Sequence, residues 1–430
     1  MKQLLTNIQI FDGLHEAIME HASIIIDNNL VTEITQEAVV SNQFDTIING
    51  NGATAIPGLT DCHVHFSIST PPGKLDDMRI DETAIRAAKN AEAALYRGFT
   101  TVRDAGSLVF GVKKCIDEGY IDGPRIFPSH GIISQTSGHG DARGNQAQGK
   151  TFSGHDSPAM KTGAFITADG VPEVLRAVRE QLFLGASQIK IMAGGGIGSL
   201  YDPLESLQFT IEEMRAAVQA ASDFGTYVFA HLYTPEQMRR AAEAGVQCFE
   251  HGTLLDRETA RIIKDHGIWL CPQFALFFDN FVSDVITSPT QDRKRRLVQN
   301  AAYTQAEIIN ELDLPTVFGT DLAMTKEWGD RYQPAEFRSK KKVHGSYKGL
   351  LTATGNVHRL FQLCTYRNPY PEGKIGILEA GSFADLLLIN GNPAEDLDLL
   401  ADKNNIKLIM KDGKIFKNTL TDIQPRNSGK

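Results

Sequence analysis

The sequence predicts an α/β protein: a (β/α)8 TIM barrel with a small β-sandwich built from both termini. Three observations carry this. The middle of the chain alternates short apolar runs with stretches of helical period, both ends are rich in short alternating strands, and ligand-type side chains recur where central strands end. The 430 residues suit it, since a barrel takes roughly 250 and leaves enough for one accessory domain.

Taken in order, residues 4–11, 22–27, 30–34 and 46–48 read as strands separated by Asp-Gly, Asn-Asn and Asn-Gly turns. Eight strand-then-helix units follow. Their strands are 56–66, 100–104, 125–129, 188–193, 227–233, 248–251, 269–273 and 316–320. The helical stretches include 82–97, 171–184, 211–224, 235–244, 257–266 and 292–312. Eight such units fit a closed barrel better than an open sheet. Segments 384–389, 406–410 and 414–416 then return to the strand style, around Gly381, Asn390-Gly391 and Asp412-Gly413. Residues 1–55 and 371–418 are therefore expected to form the sandwich, 56–370 the barrel, and 419–430 a frayed tail. Long loops at 131–170, 194–209 and 322–348 all follow strands. That puts them on the C-terminal face, where a barrel builds its active site.

Composition narrows the function. A formal charge of −9 argues against a general nucleic-acid surface, and the run Arg293-Lys294-Arg295-Arg296 reads as a solvated helix face. Five scattered cysteines with no C-x-x-C indicate neither a disulfide framework nor a cysteine zinc site. The start, MKQLLTNIQIFDG, enters a strand pattern with no apolar signal core. No window approaches the roughly 20 apolar residues of a membrane helix. A reducing cytoplasm is the expected setting, with no nucleic-acid and no membrane partner.

The chemistry concentrates at strand ends. In Pro57-Gly-Leu-Thr-Asp-Cys-His-Val-His-Phe66, strand alternation points His63 and His65 the same way, a ready chelate for Zn2+. Asp61 shares their parity and is expected to bond a ligand imidazole from behind. His231 ends the fifth strand, His251 the sixth, and Asp321 follows the eighth. Five ligand-type side chains at matching strand ends would be an improbable accident among only 12 histidines. Lys190 sits in the apolar strand Gln-Ile-Lys-Ile-Met-Ala, where an unpaired ammonium is costly and its pKa falls. Either it is salt-bridged or snorkelling, or its free amine reacts with CO2 to give a carbamate with two oxygens. Gly194-Gly195-Gly196 lacks the context of a phosphate loop and reads as a tight turn keeping bulk from Lys190. Arg103-Asp104 reads as structural or supporting, and His130, His155, His344 and His358 as surface or loop residues.

The order H-x-H, Lys, His, His, Asp on successive strands resembles the binuclear branch of the amidohydrolase superfamily. So does Gly376–Leu388, which is similar to that family's return to its β-sandwich. Ser137-Gly-His-Gly-Asp141 and His231-Leu-Tyr233 resemble its prolidase-like and Xaa-Arg/Lys dipeptidase group, to which fungal ochratoxin amidase belongs. The resemblance implies two divalent metal ions per chain, zinc being the expected metal. His63, His65 and Asp321 would hold one, His231 and His251 the other, and carboxylated Lys190 would bridge them. It further implies a metal-bridged hydroxide, Asp321 as the proton-transferring catalytic residue, and His139 and Tyr233 at the α-carboxylate of the substrate. The expected activity is cleavage of the amide bond of a dipeptide or N-acyl amino acid. A urea, carbamate, cyclic imide or xenobiotic amide would use the same centre, and a non-catalytic barrel would be expected to have lost ligands. A homo-oligomer acting on a small-molecule amide is implied as well.

Overall fold

The computed structural model describes residues 1–69, 77, 79–144, 147–323, 325–420 and 423–425. The centre of the chain is α/β with parallel strands. Leu59–Val64, Phe99–Asp104 and Arg125–Pro128 form one parallel sheet. A second, in spatial order, runs Phe165–Thr167, Ile132–Ser134, Ile189–Met192, Val228–Leu232, Cys248–His251 and Trp269–Cys271. Most of these strands are buried along their whole length, which explains why they read as near-continuous apolar runs.

Segment 316–320, expected as the eighth strand, forms no ladder. It makes isolated parallel bridges, Thr316 to Leu270 in one sheet and, just beyond, Leu322 to Val64 in the other. Regular pairing fails because the Thr320 amide donates to the Asp61 carboxylate (3.1 Å) and Asp321 turns to φ 56°. The other edge of the first sheet meets the second beside its third strand, where the Ser187 amide donates to Pro128 O (2.8 Å) and Gln188 Nε2 to Phe127 O (2.9 Å).

Between strands, the helices start and stop where side chains dictate. Ile211–Asp223 opens on a reciprocal capping box of Thr210 and Glu213. Pro235–Ala244 opens on Thr234 and Gln237 with proline in its first turn, and ends at Gly245, whose φ of 92° few other residues adopt. Their inward faces are alanine-rich (Ala217, Ala220, Ala221, Ala241, Ala242), so both lie close on the strands.

Three further expectations are corrected. Residues 322–348 are not a loop: Lys326–Thr352 is helical, broken at Gly345 (φ 75°), with Pro334 inside. The helix placed at 292–312 is two, Pro289–Gln299 and Ala301–Leu312, meeting at Asn300. Loop 131–170 contains the strands Ile132–Ser134 and Phe165–Thr167 with two single-turn helices between them.

The two ends of the chain share one nine-stranded sheet, whose main path runs Lys414–Asn418, Ile406–Lys411, Leu386–Ile389, Thr54–Pro57, Lys2–Ile10, Met19–Asp27 and Leu30–Thr35. It forks at Lys2–Ile10, which pairs with Thr46–Asn49 through residues 3–6 and with Thr54–Pro57 through residues 9 and 10. Ile423–Pro425 adds to Thr46–Asn49, so part of the expected tail is a strand; 421–422 and 426–430 lie outside the described residues. Among the described residues no helix is long and apolar enough to cross a membrane.

Candidate active site

His63 and His65 project inward from the end of Leu59–Val64, with their Nε2 atoms 3.2 Å apart. Asp321 Oδ1 lies 3.2 Å from the first and 3.1 Å from the second. Their outer nitrogens are engaged, His63 Nδ1 with Glu250 Oε2 at 2.5 Å and His65 Nδ1 with Gly106 O at 2.7 Å. An acceptor at each Nδ1 fixes the ring proton there and leaves the lone pair on Nε2. Two lone pairs and a carboxylate oxygen thus converge with no proton between them, an arrangement that calls for a cation. Donors about 2.0–2.1 Å from a shared tetrahedral ion would sit about 3.3 Å apart, so the spacing fits a divalent metal.

His231 and His251 close the other side, at the ends of Val228–Leu232 and Cys248–His251. Their ring centroids are 4.6 Å apart, and His251 is 5.3 Å from His63. Burial pushes His251 down to about 3 and holds His231 well below the usual range, so both stay neutral, as ligands must. Among the described residues the buried Nδ1 of His251 has no hydrogen-bond partner. Lys190, in Ile189–Met192, is buried, and among the described residues no hydrogen bond or ion pair holds its Nζ, which sits 5.2 Å above the Phe229 ring. Burial lowers its pKa despite the nearby Glu250 and Asp321 carboxylates. His63, His65 and Asp321 form the tightest plausible donor set. A second trio, His63, Glu250 and Cys271, reuses the occupied Nδ1 of His63, and burial holds its thiol well above the usual range. His231, His251 and Lys190 surround the same space without converging as tightly.

Behind the ligands runs a chain that sequence reasoning missed. Glu250 spans His63 Nδ1 and Arg103 Nη2 (2.6 Å), while Arg103 also donates to Cys62 O (2.7 Å) and the Tyr227 hydroxyl (3.1 Å). Arg103 thus supports the site, as expected of it; Glu250 takes the part expected of Asp61. Asp61 touches no imidazole ring: its carboxylate accepts from the Thr320 hydroxyl (2.6 Å), Gln333 Nε2 (3.0 Å) and the His63 backbone amide (3.2 Å). The signal for Glu250 was the one used for Lys190, a charge inside an apolar strand.

His139 stacks on His231 with centroids 4.1 Å apart and planes 14° from parallel, and Tyr233 stacks on His251 at 5.1 Å and 2°. Both line a cavity of about 440 Å3 with all six ligand-type residues, and its lining also includes the apolar Ile132, Phe165, Met192, Leu276 and Trp328 and the charged Asp141 and Arg143. The glycine run serves His139 and its neighbours, not Lys190. A Cβ on Gly196 would fall 2.1 Å from the His139 ring, and one on Gly195 1.8 Å from Pro203 O. Lys294, expected on a solvated face, is buried and donates to Gly196 O, Ser199 O and Asp202 O at 2.6, 2.8 and 3.0 Å. His130, His344 and His358 are half-buried, the last two within helices, and His155 is exposed.

Comparison with known proteins places the chain in a family. Residues 54–416 match the amidohydrolase family. Ochratoxinase of Aspergillus niger is 26% identical over 419 residues, spanning 93% of this chain and 83% of the relative. A crystal structure of an amidohydrolase superposes with TM-score 0.88 and 33% identity, covering 98% of this chain and all of that one. A prolidase complexed with N-methylphosphonate-L-proline superposes with TM-score 0.88 at 32% identity, covering 97% of this chain and 100% of that one.

Proposed function

Because this chain belongs to the amidohydrolase family, a hydrolase acting on amide bonds, we propose that it cleaves the amide of a dipeptide or N-acyl amino acid. The observation that carries the reading is the convergence of His63, His65 and Asp321 on one point beneath a cavity rimmed by His139 and Tyr233. In the related prolidase, the bound phosphonate joined to proline pairs a tetrahedral anion with an amino acid, the shape of an amide under attack.

His63, His65 and Asp321 would hold one divalent ion, and His231 and His251 a second; zinc suits such nitrogen and oxygen donors. Lys190 suits the bridge: its amine attacks the carbon of CO2, a C–N bond forms, a proton leaves to solvent, and the carbamate presents two oxygens. When bound, the ions supply Lewis acidity to the scissile carbonyl and to water. Asp321 takes the proton of the attacking water and hands it to the leaving nitrogen. His139 and Tyr233 grip the α-carboxylate and align the bond. The edge contacts through Thr316, Leu322 and Ser187 support a closed (β/α)8 barrel over 56–370, with 1–55 and 371–418 as its sandwich. We further propose a cytoplasmic homo-oligomer; a monomeric mass by light scattering at micromolar concentration would refute the assembly.

The test compares the wild-type enzyme on an apolar dipeptide and on its C-terminal amide. The free acid should have a kcat/KM about 10- to 100-fold higher, since removing the carboxylate removes its alignment. Equal rates would refute the reading and favour a neutral amide or urea as substrate.

A further inference from the structure

Lys294 is the one member of the basic run that the proposed function does not use and that solvent does not reach, being 2% exposed. It lies on Pro289–Gln299 and reaches into the loop at 194–208. Its Nζ has four acceptors: Gly196 O (2.6 Å), Ser199 O (2.8 Å), Asp202 O (3.0 Å) and Ser199 Oγ (3.3 Å). One residue earlier in the loop's path, Gln291 Nε2 donates to Gly198 O (2.6 Å) from the same helix. An ammonium ringed by carbonyls does what a bound monovalent cation would do, drawing a loop into a fixed curl.

The curl is what faces His139. Ser199 Oγ lies 2.8 Å from His139 Nδ1, and the Asp202 carboxylate lies 3.6 Å from it. Asp202 Oδ2 also accepts from the Gly196 amide (3.0 Å) and Gln208 Nε2 (3.2 Å), while Gln208 Oε1 receives the His139 backbone amide (2.8 Å). Among the described residues Asp202 Oδ1 has no hydrogen bond; the Lys294 ammonium, 4.0 Å away, compensates its charge. With Nδ1 held from the loop side, the other edge of the ring is left to the cavity, and the ring lies flat on His231.

We propose that Lys294 is a positioning residue: a built-in cation that curls loop 194–208 and thereby sets the His139 ring at the substrate-binding rim. It never touches substrate, and its effect passes through Ser199 and Asp202 to His139. The inference rests on the proposed role of His139 in alignment, so its test includes a measurement independent of turnover.

Lys294→Met keeps most of the side-chain length and removes the charge. The variant should retain the wild-type metal content, exchange the amide hydrogens of 194–208 faster, and lose about 10- to 100-fold in kcat/KM, chiefly through KM. The double variant Lys294→Met/His139→Ala should be no worse than His139→Ala alone, because both break one path. Methylammonium should restore part of the activity of Lys294→Ala. Should Lys294→Met fail to fold, Asp202→Asn should show the same rise in KM. Unchanged exchange of the loop, wild-type KM in the folded variants, additive losses in the double variant, or no recovery with methylammonium would each overturn the proposal. A wild-type enzyme inert to all amino-acid amides would instead refute the proposed function, while exchange would still judge the tether.

Discussion

Replacing Glu250 by leucine should damage both the fold and the proposed metal centre. Glu250 is fully buried, with one oxygen 2.6 Å from Arg103 Nη2 and the other 2.5 Å from His63 Nδ1. Arg103 is equally buried, and its other partners among the described residues, Cys62 O, the Tyr227 hydroxyl, Cys248 Sγ at 3.4 Å and the Phe229 ring 4.4 Å away, are all uncharged. Without Glu250 a guanidinium remains in the interior with no counter-charge, a loss of about 3–5 kcal/mol. His63 also loses the acceptor that fixes its tautomer, worth about 1–3 kcal/mol for a buried donor left unmade. Against a total stability of roughly 5–15 kcal/mol, the metal-free variant should be only marginally folded. Urea unfolding of the metal-free protein reads this directly. The double variant Glu250→Leu/Arg103→Met should recover much of the loss, because the stranded charge goes with its partner. Metal affinity, read by competition with a chelator, should fall about 10- to 100-fold in both variants, since His63 stays unoriented in each. A Glu250→Leu protein with wild-type stability and affinity would refute this reasoning, as would a double variant no more stable than the single.

Other outcomes follow from the same geometry. On the proposed two-ion centre, Lys190→Ala should leave at most one ion bound per chain, with a short carboxylic acid restoring part of the activity; elemental analysis showing two ions in the variant would contradict the proposed bridging role. Tyr233→Phe should mainly raise KM for substrates with a free carboxylate, whereas Asp321→Asn should lower kcat for every substrate; equal patterns would contradict the division of roles. Burial pushes His130 down to about 4 and His344 to about 3, so both fold as neutral rings and would gain protons on unfolding. Their stabilisation is fully present above pH 6.5 and drains away as pH falls through about 4 for His130 and about 3 for His344. His130→Asn should therefore flatten the acid limb of urea stability in metal-free protein, and an unchanged slope would count against it.

The ligand set was legible because period-two alternation is rigid: once His63 and His65 share a face, the strand ends at 231 and 251 can be matched to them. Lys190 announced itself as a charge in an apolar run. Glu250 escaped because strict alternation sends it away from its neighbour His251, and that rule fails here. His251 has φ 65°, a left-handed turn that frees both residues to serve one site. Asp321 sits at φ 56° for a similar end, and the irregularity there left Thr316–Leu322 short of a regular strand. Lys294 was misread because a run of four cations looks the same whether or not one of them turns inward. The helix at 326–352 was obscured by Pro334 and Gly345, which punctuate a sequence whose helicity comes from packing on the strands.

The pairing of Thr54–Pro57 between Lys2–Ile10 and Leu386–Ile389 sets the timing of biosynthesis. Roughly 330 residues separate Pro57 from Leu386, so at about 5–20 residues per second the early strands wait about 15–65 s for their neighbour. Throughout that interval the nascent chain carries an open, apolar sheet edge, the kind that recruits a second chain. Slower initiation, which lowers the number of such edges exposed at once, should therefore raise soluble yield. A circular permutant that joins the original ends and opens at an exposed loop in the middle would shorten the wait, because residues 386–418 and 2–57 would then leave the ribosome together.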